Sequence, residues 1–503
     1  MKSLINATVY AYDPVRKEHQ QSSGLIIDGR QVVSLDPSRA GVGVETVDLG
    51  GATVIAAPAD SHVHLTDTGL LMAQRNLAHT RTYDEFARAV SAQPEGRYIF
   101  AGNYDESTWS DGRLADAKPL EAKFPDAYAL LVRIDGHSCV VNRKTFDWLN
   151  FPATIEGIER DESGVPTGKL FLSANWGAQS RFMQALPLTL KRDAERSATN
   201  LALSRGALHL HVQLVGFARD EYKTEIEALR SLPPAKWYPK ICEPDAALAH
   251  SLGLPFVGGD VFLDGSIGSC TAAVSEPFAI SVDGAAPGTG MLKYSDDEVF
   301  KYFSEAHALG IAAGVHAIGD RAIEQCIATW ERVLDGQPST QRHFIEHFEM
   351  ARQDQIERCA RLGILLSMQP QFDWLWGGSG NMYEVRLGKQ RMQTMNALGR
   401  AERAGAILCG GDDSPVCDLS PLLGMHAACH HHQPSESLTP QQALAMYTYN
   451  AALLGQVEAF TGRLAPGYAA DFVVLDRDPL LDGNFADANV LQTWSDGKLV
   501  YAK

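Results

Sequence analysis

Thr53-Val-Ile-Ala-Ala-Pro-Ala-Asp-Ser-His-Val-His64 is the stretch on which the reading of this chain turns. Residues 53–57 are apolar and β-prone, Pro58 interrupts them, and His62 and His64 follow two residues apart. Side chains at i and i+2 of a strand share a face. Both imidazoles therefore aim at one point, and a rigid element offers a divalent metal two neutral nitrogen ligands. Such a pair also arises by chance, so its weight depends on partners elsewhere.

Three later segments supply them. His316 ends the apolar run 310–316 and precedes Ala-Ile-Gly-Asp-Arg-Ala322. His347 ends the run 342–347, and Asp413 follows the run 406–410 within Gly410-Gly-Asp-Asp-Ser-Pro415. Taken singly, a strand-end histidine is more often a hydrogen-bonded core residue, and such an aspartate often caps a helix or shapes a turn. As a set they converge at one end of a parallel sheet. Imidazoles with a carboxylate suit zinc or a similar first-row metal. Bound zinc brings the pKa of water to about 7, and a neighbouring carboxylate takes the remaining proton.

The surrounding pattern gives the fold class. Strand-like runs at 128–134, 310–316, 342–347, 363–368 and 406–410 alternate with amphipathic helical stretches such as 296–308, 321–334 and 351–362. That alternation is α/β with a parallel sheet, and polar residues at strand C-terminal ends point to a (β/α)8 TIM-like barrel. Short strands at 7–12, 24–28, 31–34 and 46–49 are matched near the C-terminus by 471–476, 490–494 and 499–501. Neither end can bury a core alone. We expect a small β-sandwich built from residues 1–57 and 455–503, flanking a barrel over 58–454. Residues of about 75–195, broken around Asp161-Glu-Ser-Gly-Val-Pro-Thr-Gly168, read as an insertion that lids the barrel.

Composition narrows the partners. The 503 residues are 45% hydrophobic and 21% charged, the balance of a soluble globular protein. A formal charge of −17 argues against a nucleic-acid partner. No window approaches the roughly 18–20 apolar residues of a membrane span. The polar start Met-Lys-Ser-Leu-Ile-Asn reads as a strand rather than a signal peptide. Eight scattered cysteines without a Cys-X-X-Cys pair read as reduced thiols, which places the chain in the cytoplasm.

In its motifs the chain resembles the amidohydrolase superfamily, in the "amidohydrolase 3", YtcJ-like branch that includes N-substituted formamide deformylases. The likeness runs through Pro58–His64, Asp135-Gly-His-Ser-Cys-Val-Val-Asn142, Pro166-Thr-Gly168, Asp264-Gly-Ser-Ile-Gly268 and His316–Ala322. It continues through Ile345-Glu-His347, Asp413-Ser-Pro415, Leu438-Thr-Pro440, Tyr447-Thr-Tyr-Asn-Ala451 and Pro466-Gly-Tyr-Ala-Ala-Asp471. The resemblance implies a barrel beside a β-sandwich from both termini, and a dimer by family precedent. It implies that His62, His64 and His316 bind metal and that His347 binds a second metal or the substrate. Asp413 would ligate metal and shuttle the proton from water to the leaving nitrogen, and His137 would line the substrate pocket.

Two positions depart from that pattern. Asp260, in Gly258-Gly-Asp-Val-Phe-Leu-Asp264, stands where many relatives carry a lysine that, carbamylated, bridges two metals. An aspartate is several bonds shorter. Either it approaches differently and serves as a ligand, or the site holds one metal; the reading favours one firmly held ion with Asp260 beside it. Cys270 stands where relatives commonly have arginine.

Other features read as secondary. Lys240 is a rival for a bridging lysine but lies well before the motif. His209 and His211 form another His-X-His, read as core or supporting residues, and His430-His-His432 reads as a surface or partner contact. Trp374, with Trp376, is a candidate substrate-binding wall. Gly377-Gly-Ser-Gly380 lacks the context of a phosphate loop.

The expected function is hydrolysis of a C–N bond, of amide or N-formyl type and not a peptide bond, in a small-molecule substrate. Asp413 and His347 carry the catalysis, with one or two divalent ions, zinc first among them. The alternatives are a one-metal deaminase acting on a heterocyclic amidine and a non-catalytic barrel relative.

Overall fold

A computed structural model describes residues 1–73, 76–93, 96–215, 217–232, 234–280 and 286–503. The expected start of the insertion, near residue 75, lies outside the described residues.

Both chain ends meet in one continuous seven-stranded sheet. Across it run Lys498–Ala502, Val490–Ser495, Phe472–Leu475, Glu45–Ala56, Lys2–Asp13, Glu18–Asp28 and Gln31–Ser34. Only Lys2–Asp13 and Glu45–Ala56 pair in parallel. Alternation along Glu45–Ala56 decides which way each side chain goes. Val54 and Ala56 pack with Leu4, Leu25, Phe472 and Trp494 in the sheet's own core. Ile55, between them, turns into the large core of the α/β body. The sandwich read from the sequence is thus met by a single sheet whose other face is covered by the rest of the chain.

The α/β body continues directly from that strand. Ala59–Val63 pairs in parallel with His209–Leu214, which pairs with Lys236–Trp237 and Lys240–Ile241. Phe256–Phe262, Ala312–Ala317, Phe344–His347, Leu365–Met368 and Leu408–Gly410 form a five-stranded parallel sheet in chain order. These strands are short and almost wholly buried, as expected where both faces of a parallel sheet are covered. Helices Asp296–Ala308, Asp320–Val333 and Gln353–Leu362 lie within two residues of the expected spans. Ser295 and Glu298 close a capping box on the first. Gly363, at φ 70°, ends the third in the left-handed conformation that glycine takes without strain.

Two backbone hydrogen bonds tie the first of these strands to the segment after the last. Asp413 N donates to His62 O at 2.8 Å, and His64 N donates to Ser414 O at 2.9 Å. The strand ends that carry the candidate ligands therefore meet.

Tyr128–Arg133, expected among the alternating strands, belongs elsewhere. It sits in a fourth sheet with Tyr98–Tyr104, Ser138–Val141, Pro166–Phe171 and Ile158–Arg160. Its partner Ser138–Val141 is antiparallel, so no helix crosses between them. This unit reaches the ligand-bearing strand ends: Asn103 Nδ2 donates to Pro415 O at 3.0 Å, and the Trp176 ring lies 4.6 Å from that of Phe262. Among the described residues, no helix is long and apolar enough to cross a membrane.

Candidate metal centre

The five side chains singled out by spacing, together with Asp260, come together at the strand ends. His62 Nε2 lies 3.3 Å from both Asp260 Oδ2 and Asp413 Oδ1. His64 Nε2 lies 3.0 Å from Asp260 Oδ2 and 3.1 Å from Asp413 Oδ1. Four ligand atoms at ordinary zinc distances in a tetrahedron are about 3.3 Å apart, so these separations fit one ion. The other oxygen of Asp260 faces a second pair, at 3.7 Å from His316 Nδ1 and 3.5 Å from His347 Nε2.

Hydrogen bonds outside the centre fix which imidazole nitrogen looks inward. His316 Nε2 donates to Gly265 O at 3.2 Å and His347 Nδ1 to Gln369 Oε1 at 2.9 Å, while His62 Nδ1 faces away from the centre, 2.9 Å from Glu346 Oε2 and 3.1 Å from Gln213 Nε2. These two hydrogen bonds leave His316 Nδ1 and His347 Nε2 as lone pairs directed at the carboxylates, and His62 turns its Nε2 the same way. His62 Nε2, His316 Nδ1, Asp260 Oδ1 and Asp413 Oδ1 are all buried, and none has a hydrogen-bond partner among the described residues. Leaving one such atom unpaired costs about 1–3 kcal/mol. A shared cation is what that donor set fits.

The backbone is shaped to aim these groups. His347 and Asp413 have φ of 72° and 53°, a conformation costing roughly 1–3 kcal/mol in a residue other than glycine. The turn at His347 explains how it and its neighbour Glu346, which on a regular strand would face opposite ways, both reach His62. Asp260 has a different device. Between Gly258 and Phe262 the strand spends four residues against two, Gly314 to His316, on its neighbour. Gly258 and Gly259, at φ 81° and 121°, carry that bulge, and a Cβ on Gly259 would fall 2.2 Å from Gln213 Oε1. The bulge makes up for the short side chain.

Charge is balanced inside the cluster. Burial alone would lower the pKa of His62, but Asp260, Glu346 and Asp413 raise it well above the usual value. Against burial, His62 and His64 hold the Asp413 carboxyl below its ordinary range, and His62, His316 and His347 do the same for Asp260. Glu346 is held down, despite burial, by Lys240 and His62. His316 is lowered to about 4, chiefly by burial.

Lys240 and Glu346 support the centre from behind. Lys240 Nζ donates to Glu346 Oε1 at 2.6 Å and to Ser61 O at 3.1 Å, with both side chains fully buried. Lys240 therefore steadies the carboxylate that orients His62. Sequence reasoning weighed Lys240 only as a bridge and missed Glu346, although it stands inside the Ile345-Glu-His347 motif. Asp264 accepts backbone hydrogens from Ala273, Ile318 and Gly319 at 2.8–3.1 Å and pins the loop beside His316.

A cavity of about 470 Å³ opens onto His64, Asp260, His316, His347 and Asp413. His137 lines it, with its ring 5.0 Å from Trp176 and 6.2 Å from His316; burial, then His316, push its pKa well down, so the ring is neutral. Trp374 is corrected. It is 48% exposed and packs on His426, while Phe372 and Trp376, four residues apart on the same helix, line the cavity.

His209, His211 and His431 are structural. His211 stacks on Tyr238 at 4.6 Å, and His209 bonds Tyr238 Oη at 3.0 Å. His431 is buried rather than on the surface. Its Nδ1 accepts from Gln433 N at 3.0 Å, so Nε2 carries the proton and donates to Asn396 O at 3.1 Å. Asp373, His431 and His432 cluster closely, but His431 has no lone pair left for an ion.

The amidohydrolase family model matches residues 45–501. The chain is 28% identical over 502 residues to the putative amidohydrolase YtcJ of Bacillus subtilis (strain 168), covering 91% of each chain. It is 24% identical over 548 residues to an N-substituted formamide deformylase of Arthrobacter pascens, covering 99% of this chain and 98% of that one. Among solved structures, a metal-dependent hydrolase from Pyrococcus horikoshii OT3 matches with a TM-score of 0.76 and 26% identity, over 96% of this chain and 99% of that chain.

Proposed function

Because this chain belongs to the amidohydrolase family, we propose that it is a metal-dependent hydrolase cleaving a C–N bond of amide or N-formyl type outside peptides. The observation that carries this is the convergence of buried His62, His316, Asp260 and Asp413 atoms without hydrogen-bond partners among the described residues, the last three lining one cavity. The likeness to the formamide deformylase supports the bond type.

In this reading His62, His64, Asp413 and Asp260 would hold one divalent ion, with zinc first among the candidates by ligand type. Asp260 Oδ1, His316 and His347 offer a second, looser set. Asp260 would then do with one carboxylate what a longer bridging side chain does elsewhere, extending the expectation of a single ion. A bound ion supplies an acidified water and polarises a carbonyl. Asp413, ionised and beside His64, takes the proton from water and returns it to the departing nitrogen. His347, its Nδ1 fixed on Gln369, and neutral His137 orient the carbonyl. The cavity walls exclude bulk water.

The strands Ala59–Val63 through Leu408–Gly410 are read as one closed (β/α)8 barrel, supported by the hydrogen bonds of His62 and His64 to the segment after the last strand. The domain boundaries 1–57, 58–454 and 455–503, with residues from about 75 to 195 as a lid, agree with that reading. The scattered cysteines, with no disulfide among the described residues, support a cytoplasmic setting. Turnover of N-formyl amines and simple amides, followed by amine release, tests the proposal. Ammonia release from heterocyclic amidines with no amide turnover would contradict it.

A further inference from the structure

Two cationic side chains other than histidine line the cavity among the described residues, and they differ in one respect. Arg133 is neutralised: its guanidinium lies 2.7 Å from Asp105, 3.1 Å from Glu106 and 2.9 Å from Asp135. Lys293 has no hydrogen-bond acceptor and no carboxylate within ion-pair distance among the described residues. Its Nζ stands 4.2 Å over the Trp176 ring and 4.5 Å over that of Phe262. We propose that Lys293 receives a carboxylate on the substrate, so that the enzyme selects anionic amides carrying an apolar arm over neutral ones.

The position is built rather than incidental. Lys293 N donates to Leu263 O at 2.8 Å, which fixes the residue beside the end of the strand bearing Asp260. The rings under the ammonium are themselves packed, Trp176 on Phe262 at 4.6 Å and Phe262 on His316 at 4.6 Å. The aromatic faces hold the cation without using any of its three N–H donors. Those donors are left for a ligand in the cavity that also opens onto the metal centre. Burial lowers the pKa to about 8, so the side chain is still charged at neutral pH. A single carboxylate within reach satisfies both the charge and the donors. The walls beyond, including Phe100, Val132, Met183 and Phe217, are apolar and suit an aliphatic or aromatic arm.

The word substrate rests on the hydrolase reading, but the test needs no turnover. Binding of 3-phenylpropanoate and of the neutral 3-phenylpropanamide is measured by calorimetry at pH 7 on the enzyme as purified, on Lys293→Met and on Lys293→Arg. The expected result is at least tenfold tighter binding of the carboxylate by the wild type, a preference lost in Lys293→Met and largely kept in Lys293→Arg, with amide binding unchanged throughout. An undiminished preference in Lys293→Met means that the carboxylate sits elsewhere, on the metal for instance, and overturns the proposal. Equal loss of both ligands in both variants, or no carboxylate preference in the wild type, overturns it as well. An enzyme that shows the predicted preference yet hydrolyses no amide would refute the hydrolase reading and leave this one standing.

Discussion

Glu346 places Oε2 2.9 Å from His62 Nδ1 while its other oxygen holds the ammonium of Lys240 at 2.6 Å. One carboxylate thus sits against an inward-facing imidazole and neutralises a fully buried cation.

Glu346→Gln should weaken metal binding about 10–100-fold, the usual effect of losing such an orienting partner. It should also destabilise the fold by roughly 3–5 kcal/mol, because Lys240 is left as an uncompensated buried charge. Adding Lys240→Met should restore much of the stability and none of the metal affinity. Thermal unfolding and a competitive metal titration separate the two effects; recovery of both together would contradict this division of labour.

Asp260→Asn removes the charge that faces both histidine pairs. Metal content should fall by about one ion per chain while His62, His64 and Asp413 keep the other. Stoichiometry measured on wild type and variant from one growth medium checks this. Unchanged content would mean that Asp260 ligates nothing.

Much of the site was legible because it follows strand parity. His62 and His64 are two apart, and His316, His347 and Asp413 each close an apolar run, so their convergence could be read from spacing. What escaped depends on departures from regular geometry. Glu346 adjoins His347 and should face away from it, and only the left-handed turn at His347 brings both to His62. Asp260 looked too short because the bulge at Gly258 and Gly259 leaves no mark beyond the two glycines themselves. Trp374 and Trp376 are indistinguishable until the phase of their helix is known. Residues 128–133 have the pattern of a buried parallel strand and are one, paired with Tyr98–Tyr104, but in another sheet.

Gly259→Ala tests the bulge. With φ at 121° and Gln213 Oε1 2.2 Å from the new Cβ, the alanine is strained and the strand or Gln213 must shift, costing about 1–3 kcal/mol. Asp260 should retreat with it, so metal content should fall along with the melting temperature. A variant less stable but fully loaded with metal would show that the bulge does not position Asp260.

The pH dependence of carboxylate binding has a fixed sign. Burial pulls Lys293 down to about 8, partly opposed by the charges of Asp264 and Asp260. The ammonium is therefore present below pH 8 and lost above it. Affinity for 3-phenylpropanoate should hold from pH 6 to 7.5 and then fall about tenfold per pH unit, while 3-phenylpropanamide stays flat. A fall on the acid side would assign the titration to another group.

The centre itself is tested most directly by elemental analysis of the purified protein beside His62→Ala and Asp413→Asn, with turnover of an N-formyl amine followed on the same samples. The account predicts at least one tightly held divalent ion per wild-type chain, with both ion and turnover lost in His62→Ala. Asp413→Asn should bind the ion weakly and be inactive. A wild type that turns over substrate without metal, or a His62→Ala variant that keeps its ion and its rate, would contradict it.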